Sequence, residues 1–234
     1  MTDAIVMAAG EGRRMRPITE RWPKAILPID GRPVIATLLR DLAEAGIERA
    51  FVVTGHLADQ VEELVGDGGA FGLEVRFVRQ PSVLGSADVV RRGLEAGARA
   101  PALVAAADTV FARGDLRRVL GELARSRTAG AMTARREPPP DPPHRWALKI
   151  ERGRVVTPLD DDPGNPFSGA PLWALGPELV PFLEDLGGPP YELAEAFANA
   201  IAAGQAVAGI EIGKTRDLTG PVDLIVENFP YLAR

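Results

Sequence analysis

Cysteine is absent from this chain of 234 residues. That excludes disulfides, thiolate metal centres and a cysteine nucleophile. Histidine is scarce, with His56 and His144 the only two, too few for a histidine-built metal cluster. Any metal must then sit on oxygen donors, the ligand set that suits magnesium. There is no excess of positive charge either. The formal net charge of −5 argues against wholesale nucleic-acid binding and leaves room for a local basic pocket. No apolar run approaches membrane-spanning length. The N-terminus carries Asp3 and lacks the basic segment and long apolar stretch of a signal peptide. The expectation is a soluble, cytoplasmic protein with neither nucleic acid nor membrane as partner.

What is present reads as one globular unit. Hydrophobic residues make up 46% of the chain, with charges of both signs, and the length suits one α/β domain or a tight pair of subdomains. Strand-length apolar segments at 3–8, 50–54, 73–78 and 101–107 alternate with helical patterns beginning at Pro33 and covering 58–65, 88–96 and 115–125. That alternation implies βαβ crossovers, hence an α/β fold with a Rossmann-like, mostly parallel sheet flanked by helices. Further strands are expected at 129–134 and 170–175, a hairpin at 146–157 turning over Arg152-Gly153, and helices at 191–203 and from Asp223 onward. The chain is read as a single domain, 1–234, with a nucleotide-binding part at about 1–112 and an acceptor-binding part at about 113–234. Glu137-Pro138-Pro139-Pro140-Asp141-Pro142-Pro143 fits neither helix nor inner strand. It reads as an exposed loop, either near the substrate or a harmless insertion, with His144 on the surface and Trp146 in the core.

The first strand empties into Ala8-Ala9-Gly10-Glu11-Gly12-Arg13-Arg14, and Lys24 follows Pro23. Glycine lets backbone N–H groups approach a ligand. Together with Arg13, Arg14, Arg16 and Lys24 they make a pocket for a polyanion, of which phosphate is the obvious case. Taken alone, Gly10-x-Gly12 reads equally as an ordinary turn. It lacks the third glycine of a dinucleotide-binding loop and the Gly-Lys-Ser/Thr of a P-loop. In parallel sheets the ligand lies at the carboxyl ends of the strands. That nominates two more places. One is Gln80 to Ala87, where Gly85 and Ser86 precede a helix. The other is Asp108, a carboxylate at the tip of an apolar strand that either caps a turn or holds a metal.

Residues 9–19 and 23–28, Ala-Gly-Glu-Gly-Arg-Arg-Met-Arg-Pro-Ile-Thr and Pro-Lys-Ala-Ile-Leu-Pro, resemble the signature of the sugar-phosphate nucleotidylyltransferases. The departure is Arg13, where that family usually has a small residue. The resemblance implies the nucleotide-diphospho-sugar transferase fold, three layers αβα. It further implies magnesium-dependent transfer of a nucleotidyl group from a nucleoside triphosphate to a sugar 1-phosphate. By it, Arg14 and Lys24 are catalytic, contacting the phosphates, and residues 8–13 cradle the nucleotide. Gln80, Gly85 and Ser86 match the family's base-reading segment, with serine for threonine, and lean towards a pyrimidine. Asp108 matches a metal ligand and catalytic residue, although Ala107 replaces the family's glycine. Asp217 in Asp-Leu-Thr-Gly-Pro-Val-Asp-Leu matches the second metal ligand, and Asp223 reads as a helix-start residue favoured by the helix dipole.

The acceptor end departs most. Many sugar-phosphate members carry Glu-Glu-Lys-Pro where this chain has Asp160-Asp161-Asp162-Pro163, and a carboxylate repels the phosphate a lysine would attract. The short N-acetylmuramate-1-phosphate uridylyltransferases, which also lack the lysine, look similar in length and in Phe167-Ser168-Gly169; mannose-1-phosphate guanylyltransferases are the other type the chain resembles. Asp162, Ser168 and Gly169 are therefore expected at the substrate. The aspartate run either attracts a cationic group or is a solvated turn. Two rivals stay open: a cytidylyltransferase acting on phosphocholine or a phosphonate, and a catalytically silent subunit that senses nucleotide sugars. The chain ends without room for the β-helix extension of longer relatives, so a monomer or small homo-oligomer is expected.

Overall fold

The computed structural model describes residues 2–138 and 147–229. The chain opens with β1 (Asp3–Ala8) and passes through three single 3₁₀ turns, Arg13–Met15, Ile18–Glu20 and Lys24–Ile26. A two-residue hairpin, β2 (Pro28–Ile29) and β3 (Arg32–Pro33), leads into α1 (Val34–Glu44). Then come β4 (Arg49–Thr54), α2 (Ala58–Val65), β5 (Glu74–Arg79), α3 (Ser86–Glu95), β6 (Ala102–Ala106), β7 (Thr109–Val110), α4 (Asp115–Arg125) and β8 (Gly130–Arg136). The remainder supplies β9 (Leu148–Glu151), β10 (Arg154–Pro158), β11 (Phe167–Leu175), a 3₁₀ segment (Pro177–Leu183), α5 (Leu193–Ala202), β12 (Val207–Ile212), β13 (Arg216–Asp217) and α6 (Pro221–Asn228).

Nine strands share one sheet in the order β5-β4-β1-β6-β11-β8-β12-β10-β9. Strands β5, β4, β1 and β6 are parallel neighbours, as are β8 and β12. Strand β11 opposes β6 and β8, and β10 opposes β12 and β9. The sheet is therefore mixed and mostly parallel, as the βαβ pattern predicts.

Side chains alternate across a strand, and here both faces are covered. On β1, Ala4, Val6 and Ala8 pack under α1 (Ile35, Leu38, Leu39, Leu42), α2 (Val61, Val65) and α4 (Leu116, Val119). Ile5 points the other way, to a core with Phe51, Val104, Val89 and Val90 of α3 and Phe197 of α5. These are three layers, αβα. Each fully buried Leu, Ile or Phe contributes about 1.5–3 kcal/mol relative to exposure.

The structure differs from the sequence reading in particulars. Helix α3 starts at Ser86 and not Asp88, and α5 at Leu193 and not Tyr191. The Tyr191 backbone is held elsewhere: its N–H donates to the Leu84 carbonyl at 2.7 Å, and its carbonyl accepts from Ala87 N–H at 2.9 Å. Strand β12 has no counterpart in the sequence reading. Gly209 interrupts its apolar pattern because Ile150 of β9 fills the space a Cβ would need, 2.8 Å from Ile150 Cγ2. The readings of His144 and Trp146, and of the prolines from 139 to 143, lie outside the described residues.

The foot of β1 is held by charge. Asp3 is 2% exposed and accepts from Arg49 Nε (3.0 Å), Arg49 Nη2 (2.7 Å) and Arg99 N–H (2.8 Å). Asp3→Ala strips all three from donors that are only part-buried and can turn to water, so a loss of about 1–3 kcal/mol is expected. Urea unfolding checks it; an unchanged midpoint would show the cluster to be energetically idle.

Candidate functional site

The loop after β1 is shaped by one glycine and anchored by apolar side chains. Gly12 has φ +60°, and a Cβ there would meet Thr19 Cγ2 at 2.9 Å. Thr19 Oγ1 donates to the Gly12 carbonyl at 2.9 Å. His56 Nε2 lies 2.6 Å from the Thr19 carbonyl; a carbonyl only accepts, so the ring nitrogen donates. Below the loop, Met15, Leu27, Ile29 and Val34 bury together with Leu218. The loop is thus fastened from beneath while its cations stay on top.

A cavity of about 410 Å³ opens at the carboxyl ends of β1 and β6. Its walls include Ala8, Ala9, Gly10, Gly12, Arg13, Arg14 and Lys24 from the loop. Gln80, Gly85, Ser86 and Asp108 come from the other two nominated places. Val83, within the nominated stretch 80–87, lines it too, as do Val89 and Thr219, which were not singled out. Glu11 is not on the wall. Its carboxylate turns to Arg13 Nε (2.8 Å) and Arg16 Nη2 (3.5 Å), and the hydrogen bond from Arg13 holds it below the usual carboxylate value. Arg14 makes no hydrogen bond or ion pair among the described residues, so its guanidinium is available to an anion.

Asp108 forms an ion pair with Lys24 and accepts from Thr109 Oγ1 at 3.3 Å. The pairing of β13 with β7 sets Asp217 directly across from Thr109. The second carboxylate is thereby delivered beside the residue that follows Asp108. Three contacts aim this segment. Leu218 is buried with Met15 and Leu27. Gly213 N–H donates to Asp115 Oδ2 at 3.0 Å. Arg216 forks onto Asp30 (Nη2 to Oδ1, 2.9 Å) and the Glu227 carbonyl (3.2 Å). The hydrogen bonds from Arg216 to Asp30, and then to Glu227, hold its guanidinium firmly charged. Asp223 closes the turn, its Oδ2 accepting from Thr219 and Gly220 N–H groups at 2.7 Å each, so it starts a helix as expected.

No group of three or more His, Cys, Asp or Glu side chains gathers among the described residues. A closed zinc-type cage is therefore not built there. Of the two carboxylates expected to hold a metal, Asp108 lines the cavity and Asp217 does not; oxygen donors of this kind suit magnesium, which keeps waters and takes further ligands from substrate phosphates.

On the side of the cavity after β5, Gln80 is buried and its Nε2 donates to Asp88 Oδ2 at 2.7 Å. Burial pushes the Asp88 carboxyl up, but the hydrogen bonds from Gln80 and Arg92 outweigh it and hold the group below its ordinary value. A carboxylate only accepts, so the amide NH₂ of Gln80 must face Asp88. Gly85 sits at φ +104° with the Tyr191 backbone against it; a Cβ would meet the Tyr191 carbonyl oxygen at 2.3 Å. Ser86 reaches the cavity wall, but its hydroxyl donates to Glu192 Oε2 (2.7 Å) and accepts from Leu193 N–H (2.8 Å), capping α5.

The three residues expected at the acceptor do not line this cavity. Asp162 is exposed, and its Oδ1 accepts from Gly164 N–H at 2.8 Å. Asp160 accepts from Asn165 Nδ2 at 2.7 Å. The aspartate run is in part a self-bonded turn. Ser168 and Gly169 lie on β11 beside Arg135 of β8, whose Nη2 is 3.5 Å from Ser168 Oγ and 3.4 Å from the Gly169 carbonyl. Arg135 was not singled out by the sequence. The one signal for it was an arginine closing a small-residue strand.

A family model, the MobA-like NTP transferase domain, matches residues 4–205. The chain belongs to the MobA-like NTP transferase family. Within that family it is 37% identical over 79 residues to the N-acetylmuramate α-1-phosphate uridylyltransferase of Neisseria meningitidis, a match covering 34% of either chain. It is 48% identical over 59 residues to the 2-aminoethylphosphonate cytidylyltransferase of Lancefieldella rimae, covering 25% of this chain and 24% of that one. The matched stretches thus span no more than about a third of these relatives. In three dimensions the transferase fold superposes on a Bacillus anthracis protein described as a glucose-1-phosphate thymidylyltransferase. The TM-score is 0.85 at 20% identity, covering 100% of this chain and 96% of the other. No helix among the described residues is long and apolar enough to cross a membrane.

Proposed function

We propose that this NTP transferase joins a nucleoside triphosphate to a sugar 1-phosphate, releasing pyrophosphate and forming a nucleotide sugar. The observation that carries the reading is the cavity where Arg14, without a partner among the described residues, and the Lys24–Asp108 pair meet. An oxygen of the acceptor phosphate attacks the α-phosphorus. The bond from that phosphorus to the bridging oxygen breaks, and its electron pair leaves on pyrophosphate. The attacking oxygen is already ionised, so no side-chain base is required. What the chain must supply is alignment and charge balance. The loop backbone at 8–13 cradles the triphosphate, and Arg14 and Lys24 offset the charge building on the phosphoryl oxygens. Gln80 and Gly85 hold the base. Asp108 and Asp217 would hold magnesium, which when bound neutralises and orients the phosphates. In this reading residues to about 112 bind nucleotide, and those from about 113 bind acceptor.

A second reading has specific support. The chain has Asp160–Asp162 where many sugar-phosphate relatives carry a lysine motif, and one relative is named for 2-aminoethylphosphonate. An acceptor carrying an amine or quaternary ammonium would suit both.

Pyrophosphate release with magnesium, crossing the common nucleoside triphosphates with sugar 1-phosphates, phosphocholine and 2-aminoethylphosphonate, decides. Turnover with a sugar 1-phosphate is expected. Turnover confined to the cationic acceptors would replace the first reading by the second. Tight nucleotide-sugar binding without any turnover would overturn both in favour of a sensor.

A further inference from the structure

Resting on the proposed transfer reaction, we propose that Arg135 is the residue that receives the acceptor's phosphate or phosphonate group. The reaction brings a second polyanion against the first. Arg14 and Lys24 already stand over the cavity that would take the triphosphate. A further cation is needed on the side the acceptor enters.

The topology points to where that is. Strand β11 lies between β6 and β8. Two inter-strand steps therefore separate the end of β6, where Asp108 stands, from the end of β8, a span of about 10 Å. Arg135 is in register with Ser168, and β11 continues to Leu172 opposite Ala105 of β6. Arg135 and Asp108 therefore lie at the same edge of the sheet. A side-chain bond also links Arg135 to the segment that carries Asp217. Arg135 Nη1 donates to Thr215 Oγ1 at 2.7 Å, and Thr215 stands two residues before Asp217, itself paired with Thr109.

The guanidinium is held in place but poorly used. The bonds from Nη2 to Ser168 and Gly169 are long, 3.5 and 3.4 Å. Nε is buried and has no hydrogen-bond partner among the described residues; it forms an ion pair with the part-exposed Glu137 carboxylate, Oε1 at 3.1 Å, without a hydrogen bond. An arginine that keeps several N–H groups weakly engaged is set up to take a dianion with its planar fork. Its neighbours are not. Arg136 is forked onto Glu211 at 2.9 and 2.7 Å. Arg216 is committed to Asp30 and Glu227.

Steady-state kinetics of Arg135→Gln and Arg135→Lys test this on whichever acceptor the wild type uses. Sugar 1-phosphates, phosphocholine and aminoethylphosphonate share the same anionic group, and the acceptor that turns over names the source. Arg135→Gln is expected to raise the acceptor KM about 10- to 100-fold, with the lysine variant in between. The nucleoside triphosphate KM should stay within about twofold, because its cations are untouched. An unchanged acceptor KM, or equal changes in both KM values, would overturn the assignment and leave Arg135 a structural residue. If the wild type turns over no acceptor, the transfer reading fails separately. Arg135 is then scored by equilibrium dialysis of inorganic phosphate, with and without UTP. Weaker phosphate binding by Arg135→Gln alongside intact UTP binding supports the assignment; equal binding overturns it.

Discussion

Asp108→Asn is expected to lower kcat by about a thousandfold or more while the folded protein survives. The substitution keeps the size of the side chain and one hydrogen-bond acceptor for Thr109. It removes the charge that pairs with Lys24 and, in the proposed reaction, one of the two carboxylates that would hold magnesium. Lys24 also loses the partner that fixes its position. The carboxylate lies two residues beyond the buried strand β6 and is half-buried, outside the hydrophobic core, so the loss of stability should be modest. Circular dichroism and a thermal melt would establish the folded state, and pyrophosphate release the rate. A folded variant turning over within tenfold of wild type would remove Asp108 from the chemistry.

Gly85→Ala should cost more in stability than any other single methyl group added near the site, about 3–5 kcal/mol, or a melting point lower by roughly 10 °C. Two penalties add. The backbone at φ +104° disfavours any side chain, and the new Cβ would fall 2.3 Å from the Tyr191 carbonyl oxygen. Relief requires moving the backbone of 191 away. That breaks the bonds from Tyr191 N–H to Leu84 and from Ala87 N–H to Tyr191. The same bonds set the start of α3 against the start of α5, where Ser86 caps the latter. Affinity for nucleotide should fall with the melting point, since this turn walls the cavity. A melting point within about 2 °C of wild type would mean that the turn absorbs the methyl group freely.

Much of the site was legible because its residues cluster in short stretches of chain. The glycine turn, Arg14 and Lys24 lie within one loop; Asp108 follows an unbroken apolar run, and Gln80 and Gly85 follow an alternating strand pattern. Their convergence follows from a parallel arrangement, which puts those strand ends on one edge. Less legible was what each polar group does there. Ser86 reads as a nucleotide contact, yet its hydroxyl is committed to Glu192 and Leu193, more than a hundred positions along. Gly85 reads as a base-contacting glycine, yet the closest demand on it is the backbone of Tyr191. Both depend on α5 lying beside α3, and no local pattern announces that.

By itself the sequence determined the alternation of strands and helices, the two-faced apolar strands that require helices on both sides, and the anion loop with its cations. These follow from periodicity and backbone chemistry acting over a few residues. The tertiary structure alone decided three further things. It reversed β11 between β6 and β8, which sets the ends of β6 and β8 at the same edge of the sheet. It set Asp217 across from Thr109 by burying Leu218 under the loop and pairing β13 with β7. It also placed Arg135, whose buried Nε has no hydrogen-bond partner among the described residues, beside Ser168. Each is a contact between residues dozens of positions apart. The free energy of such contacts comes from packing that exists only once the layers have closed.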